Sequence, residues 1–151
     1  MSRRALATLA LAGACGALAL TAATSGADGP RVVVRDAGGE VVAEAALPAD
    51  GRFALTYRHS VYNAPAEERF RALGEDRFAL HSIASPSRRV LEYYETEGRV
   101  SRNELVPAHP ARFTTMALAA TERGRRTLVV GGERIPLYGH GVHLRIAVEG
   151  T

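Results

Sequence analysis

The residues best placed to do chemistry in this sequence fall within one short stretch, where an imidazole, a hydroxyl and two carboxylates lie within ten positions: His59, Ser60, Glu67 and Glu68. A histidine beside a carboxylate can serve as a general base with its orienting partner. It can equally be half of a metal site, or a satisfied polar pair that closes one end of an apolar core. Which of these applies depends on how the chain brings the two ends of the stretch together. Tyr62-Asn63-Ala64-Pro65 reads as a turn between strands Arg52–Val61 and Ala66–Leu73. Val61 then faces Ala66, His59 faces Glu68, Tyr57 faces Phe70 and Leu55 faces Ala72. That side is apolar and must be the core side, because a slip of one residue would bury Arg58, Arg69 and Arg71 instead. The outer side pairs Ser60 with Glu67 and sets Arg58 against Arg69. In this register His59 and Glu68 stand at the end of the core face, where a carboxylate favours the charged imidazole and burial opposes it.

Further along, Leu91-Glu92-Tyr93-Tyr94-Glu95 supplies an acid and two phenols. Read as a strand, it turns Tyr93 and Tyr94 to opposite faces, and one of them belongs at a surface, an interface or a pocket rim. A functional rim of His59, Ser60, Glu67, Glu68, Glu92 and Tyr94 is the resulting expectation. An enzyme would instead need His59 and Glu68 to converge with Glu92 or His81. His140 and His143 lie three apart on a predicted strand and so on opposite faces, which disfavours a metal site. Ser60 adjoins His59 and points away from it. No Gly-x-Ser-x-Gly elbow and no phosphate-cradling glycine loop is present. The sequence predicts no catalytic residue, no metal and no cofactor.

The elements that must hold these residues are strands. From Pro30 onward the apolar residues recur with period two. Arg31–Arg35 and Glu40–Glu44 flank Asp36-Ala37-Gly38-Gly39, and Thr127–Val130 and Arg134–Tyr138 flank Gly131-Gly132-Glu133; both read as hairpins. Arg77–Ile83 and Arg89–Tyr94 read as further strands. Val142, Leu144, Ile146 and Val148 alternate with His143, Arg145 and Ala147, as in a half-buried strand. Met116–Ala120 and Ala64–Leu73 contain helix formers, but their contexts favour strands. Glu95–Pro110, with Pro107 and Pro110, reads as a crossover loop. About eight to ten short strands with turns between them predict an all-β domain, a small antiparallel sandwich or partly closed barrel.

Composition narrows the class. All 19 basic residues are arginine against 16 acids, a net charge of +3. The arginines alternate with acids, as in Glu67-Glu68-Arg69, whereas a nucleic-acid surface gathers its charge on one face. No nucleic-acid partner is expected, and a GC-rich coding bias accounts for the missing lysine. The single cysteine, Cys15, precludes a disulfide scaffold in the domain. Residues 1–27 read as a signal peptide or membrane anchor: Arg3-Arg4, an uncharged run over residues 5–23, and small residues before Asp28. Cleavage, lipidation at Cys15 and retention as a tether are the three alternatives. Residues 28–151 are then an extracytoplasmic domain, periplasmic, secreted, or held at the outer face of the cytoplasmic membrane.

The run His59-Ser60-Val61-Tyr62-Asn63-Ala64-Pro65-Ala66-Glu67-Glu68 resembles the His-Ser-Val … Pro-x-Glu motif of the domain-of-unknown-function family 1850. Ser85-Pro86-Ser87 with Val90-Leu91-Glu92-Tyr93-Tyr94, and the ending Thr127–Gly132 … Ile135-Pro136-Leu137, are similar to the same family. Ala66 stands where the family has valine. The resemblance implies a small envelope protein encoded beside TRAP transporters of the TAXI type, which take up organic acids with an extracytoplasmic solute-binding protein. On that basis the expected function is an accessory role, with transporter membrane subunits, the solute-binding protein, or a small ligand or ion as partner. A small hydrolase or metal-assisted enzyme and a purely structural envelope protein are the alternatives.

Overall fold

The computed structural model describes residues 29–150; the expected signal or anchor segment and Cys15 lie outside the described residues. Two antiparallel sheets pack face to face, and neither closes into a barrel. The smaller sheet is formed by β1 (Arg31–Arg35), β2 (Val41–Ala46), β9 (Thr115–Ala119) and β12 (His143–Glu149), in the order β2-β1-β12-β9. The larger runs from β11 (Glu133–Pro136) through β10 (Thr127–Val130), β3 (Arg52–Arg58), β4 (Pro65–Ala72), β5 (Phe78–Ala84) and β7 (Glu104–Pro107) to β6 (Gly98–Ser101). A two-residue strand β8 (Arg112–Phe113) pairs with β5. The fold is all-β, an antiparallel sandwich.

Alternation builds the core. Val32, Val34, Leu144, Ile146 and Val148 on the small sheet face Phe53, Leu55, Phe70, Phe78, Leu128 and Val130 on the large one. Each of these side chains, once fully buried, contributes about 1.5–3 kcal/mol. Phe53 stacks on Phe70 with ring centroids 5.2 Å apart, and Phe78 meets both edge-on. The expected first and last hairpins are present. Between β10 and β11, Gly131 and Gly132 take φ of +57° and +91°, the left-handed pair that a two-residue hairpin turn requires.

Three expectations need correction. The β3–β4 loop is Ser60–Asn63, two positions earlier than read: the His59 amide donates to the Ala64 carbonyl, and Asn63 carries the left-handed φ of 50°. Pro65 opens β4 instead of closing the loop. Tyr57 therefore faces Ala66, Leu55 faces Glu68 and Phe53 faces Phe70. The shift moves each strand by an even number of residues, so the core side survives while every neighbour changes. The Arg58–Arg69 pairing disappears, with Arg58 opposite Pro65 and Arg69 opposite Ala54.

Second, Arg88–Tyr93 is not a strand but a six-residue helix, α1. Val90 and Leu91 are buried and Tyr94 follows on the same side, a helical spacing that the short run hid. Arg88 and Glu92 pair at 2.8 Å across one turn, the i,i+4 arrangement of a helix. Third, the stretch read as a crossover loop contains the β6–β7 hairpin, turned at Arg102, whose φ is 54°. Beyond the reach of the small sheet, α1 covers the inner face of β5 and β7, and Leu91 packs against Ile83 and Leu105.

Candidate functional site

The inner face of the large sheet is read across the strands in rows. One row is Leu128, Leu55, Glu68, Ile83, set by three consecutive strand pairings. Glu68 thus occupies a position whose neighbours are all core aliphatics. A bulge at His81 on β5 keeps the row aligned and turns His81 outward into solvent.

A carboxylate in such a row must be satisfied by its surroundings. Tyr57, two residues beyond Leu55 on β3, reaches diagonally and donates its hydroxyl to Glu68 Oε1 at 3.0 Å. Tyr94, at the C-terminal cap of α1, donates to the same oxygen at 2.8 Å. The two phenol oxygens also touch, so three oxygens form one tight cluster. Arg126, just before β10, donates from Nη1 to Glu68 Oε2 at 3.4 Å and lays its guanidinium 4.3 Å from the Tyr57 ring centroid. Its Nε is buried without a partner among the described residues.

Burial is the largest influence on Glu68 and raises its pKa; the charge and hydrogen bond of Arg126, and then His59, pull the other way without prevailing. Burial also pushes Tyr94 up to about 12, against a smaller opposite pull from Arg126.

His59 stands two residues past Tyr57 on the same side and is 6% exposed. Its Nδ1 accepts from the amides of Val61 and Tyr62 at 3.3 and 3.4 Å, so the ring proton of the neutral form belongs on Nε2. The Tyr62 ring stacks on the imidazole, and Tyr93 meets it edge-on at 4.6 Å. His59, Ser60, Glu68, Tyr93, Tyr94 and Arg126 are among the residues that line one cavity of about 330 Å³.

Four of the six residues expected at a rim therefore come together: His59, Ser60, Glu68 and Tyr94. Ser60 lies in the loop rather than on a strand. Glu67 faces the opposite side of the sheet and pairs with Arg69 at 2.6 Å. Glu92 points outward to Arg88. His81 opens onto a different depression, beside Arg69 and Glu104. The expected convergence of His59 and Glu68 with Glu92 or His81 does not occur, because the bulge and the helix turn those two away.

Sequence reading missed Arg126, although a signal existed. The alternation of Leu128 and Val130, extended back one step, places residue 126 on the core side opposite Tyr57. It also missed Tyr93 as the partner of His59. The helix, not a strand, lets Tyr93 and Tyr94 serve one site: Tyr94 goes inward to Glu68, and Tyr93, 54% exposed, goes to the rim. His140 and His143 are both exposed, in a turn and at the first position of β12. Among the described residues, no group of three or more His, Cys, Asp or Glu side chains is gathered as a metal site needs. Compared with known proteins, the chain matches no family model, no curated protein and no solved structure.

Proposed function

We propose that this chain is an extracytoplasmic accessory protein that binds rather than catalyses, and that it serves a TAXI-type TRAP organic-acid uptake system through contact with the transporter's membrane subunits. One observation carries the binding half of this reading. Both carboxylate oxygens of Glu68 and the Nδ1 lone pair of His59 accept hydrogen bonds from within the chain, while large apolar side chains beside them are left facing solvent. Val61 is 61% exposed and Tyr93 54%, with Tyr62 between them. A general base must reach a substrate proton with a free lone pair, and Nδ1 of His59 is turned into its own loop. A rigid aromatic rim on a satisfied polar support is instead suited to protein contact, since Tyr buries large area at small entropic cost. The transporter half rests on the family resemblance of the His59–Glu68 segment and is an analogy of family.

The test is photo-crosslinking in the native envelope, with the full chain carrying a benzophenone side chain at Tyr62 or at Tyr93. The expected result is an adduct with a TRAP membrane subunit from both positions and none from Arg145, an exposed residue on the small sheet. Equal labelling from all three positions, or no adduct with a transporter subunit, overturns the proposal.

A further inference from the structure

The outer face of the large sheet holds a second feature, which meets the aromatic rim at Arg58 but opens to the opposite side of the sheet. Its row Thr127, Thr56, Glu67, Ala84, fixed by strand pairing, consists mostly of small side chains and forms the floor of a depression of about 610 Å³. That volume is within the range of small-molecule sites. Three guanidiniums stand around this floor: Arg58 at the end of β3, Arg125 before β10, and Arg134 on β11. Pro65 and Pro86 give it an apolar wall, and Tyr138 contributes a phenol.

The way these arginines are held is what points to a ligand. Arg58 Nη1 donates to the Asn63 carbonyl at 2.7 Å. Arg125 Nη2 donates to the Tyr138 hydroxyl at 2.8 Å, and its guanidinium lies 4.4 Å from the centre of that ring. Arg134 Nη2 donates to Thr56 Oγ1 at 3.1 Å. Every one of these acceptors is neutral. Each anchor orients an exposed guanidinium and leaves its charge whole, and none of the three forms an ion pair among the described residues. The one carboxylate in the floor, Glu67, pairs with Arg69 at 2.6 Å, a guanidinium it shares with Glu104 at 2.8 Å, so three cations face a single partly compensated acid. A guanidinium offers five N–H donors in a planar fork that matches carboxylate and phosphate oxygens in pairs. Three oriented around one concavity bind oxyanions at a smaller ordering cost than free side chains would.

From this geometry we infer that the depression is a binding site for a small organic molecule carrying two anionic oxygen groups, carboxylate or phosphate, on a short apolar body. The charged groups engage Arg58, Arg125 and Arg134, and the body lies over Thr56 and Ala84 against Pro65 and Pro86.

Calorimetric titration of the full chain in mild detergent tests this, with adipate as dicarboxylate, glycerol 3-phosphate as phosphate monoester, and acetate as monoanion, all at one ionic strength. Saturable binding of adipate or glycerol 3-phosphate, at least tenfold tighter than acetate, is the expected result, and the tighter of the two names the oxyanion. Arg125→Gln and Arg134→Gln should each weaken that binding at least tenfold while leaving the thermal unfolding midpoint of the free protein in place. Tyr62→Ala, at the aromatic rim, should leave it unchanged. Dianion binding no tighter than acetate, binding unaltered in the Arg58→Gln/Arg125→Gln/Arg134→Gln triple variant, or binding confined to a long polyanion such as heparin overturns the inference.

Discussion

The Tyr94 hydroxyl donates to Glu68 Oε1 at 2.8 Å, and this bond joins the short helix to a core position on β4. Six residues are too few for a helix to hold itself together in water. Its stability comes from Val90 and Leu91, which are buried, and from this tie at its C-terminal cap. The tie also decides where Tyr93 points, and so whether His59 has its aromatic cover.

Tyr94→Phe keeps the ring and removes the donor. Leaving a buried partner of this bond unsatisfied is expected to cost about 1–3 kcal/mol, read as a lower urea midpoint. Amides of Arg88–Tyr93 should exchange faster in the variant, while those of β1 and β12 stay protected. Spectroscopic titration gives an independent check: burial pushes the Tyr94 phenol up to about 12, so one phenol of the wild type should ionise late, and that step should be missing from the variant. A phenol whose pKa is raised on folding stabilises fully below its unfolded value of about 10 and loses that contribution as pH climbs toward 12.

Glu68 should make stability fall as pH rises. Burial raises its pKa in the folded state above the ordinary 4.5. The folded protein therefore holds this proton more tightly than the unfolded chain does. The resulting stabilisation is complete below pH 4.5 and is lost as pH rises through the raised value. Urea midpoints measured across this interval should fall less steeply in Glu68→Gln than in the wild type. Arg126→Met removes the nearest opposing cation and should steepen the fall. Parallel curves for wild type and Glu68→Gln would show that Glu68 ionises as freely as in the unfolded chain.

Much of this site was legible before any coordinates, for reasons of parity. The two-residue period of a strand fixes which side chains share a face, and it placed His59, Tyr57 and Glu68 on the core side. An even error in register leaves that result untouched. Register itself was not legible, because Tyr62-Asn63-Ala64-Pro65 carries strong turn residues at both ends. The chain uses Asn63 to finish the loop and Pro65 to begin the strand, where Pro65 needs no amide donor. The helix was hidden for a different reason: Val90 and Tyr94 share a face in a strand as well as in a helix, and the run is too short for Leu91 beside Val90 to reveal the helical period. Only the inner face left bare beside the small sheet decides between them. The depression on the outer face was invisible in the sequence, because Arg58, Arg125 and Arg134 are brought together by strand order alone.

Phe70 is the core residue whose loss should be felt most widely. It is 2% exposed, stacks on Phe53 and meets Phe78 and Phe113 edge-on. Phe70→Ala leaves a cavity lined by three aromatic rings that cannot all collapse into it, and costs about 3–5 kcal/mol. The loss should appear as global destabilisation in urea unfolding, with near-ultraviolet circular dichroism of the remaining native state altered. A cost below about 1 kcal/mol would mean that the rings repack, contrary to their dense contact.

Gly98 is a site where a single methyl group should act locally. It opens β6 opposite Pro107, and a Cβ there would run into the carbonyl oxygen of Val106 on the paired strand. That obstacle is backbone, so no rotamer change relieves it, and the β6–β7 hairpin must move apart at its open end. The hairpin lies at the edge of the large sheet, away from the main core, and its other exposed strand residues have room to adjust. Gly98→Ala should therefore raise hydrogen-exchange rates across Gly98–Pro107 while leaving β3, β4 and β10 protected as in the wild type. Leu105, which is 2% exposed and packs with Leu91, stands between the two regions. If the loosening passes through Leu105, the helix amides will exchange faster as well, and the fluorescence of a probe at Tyr93 will report it.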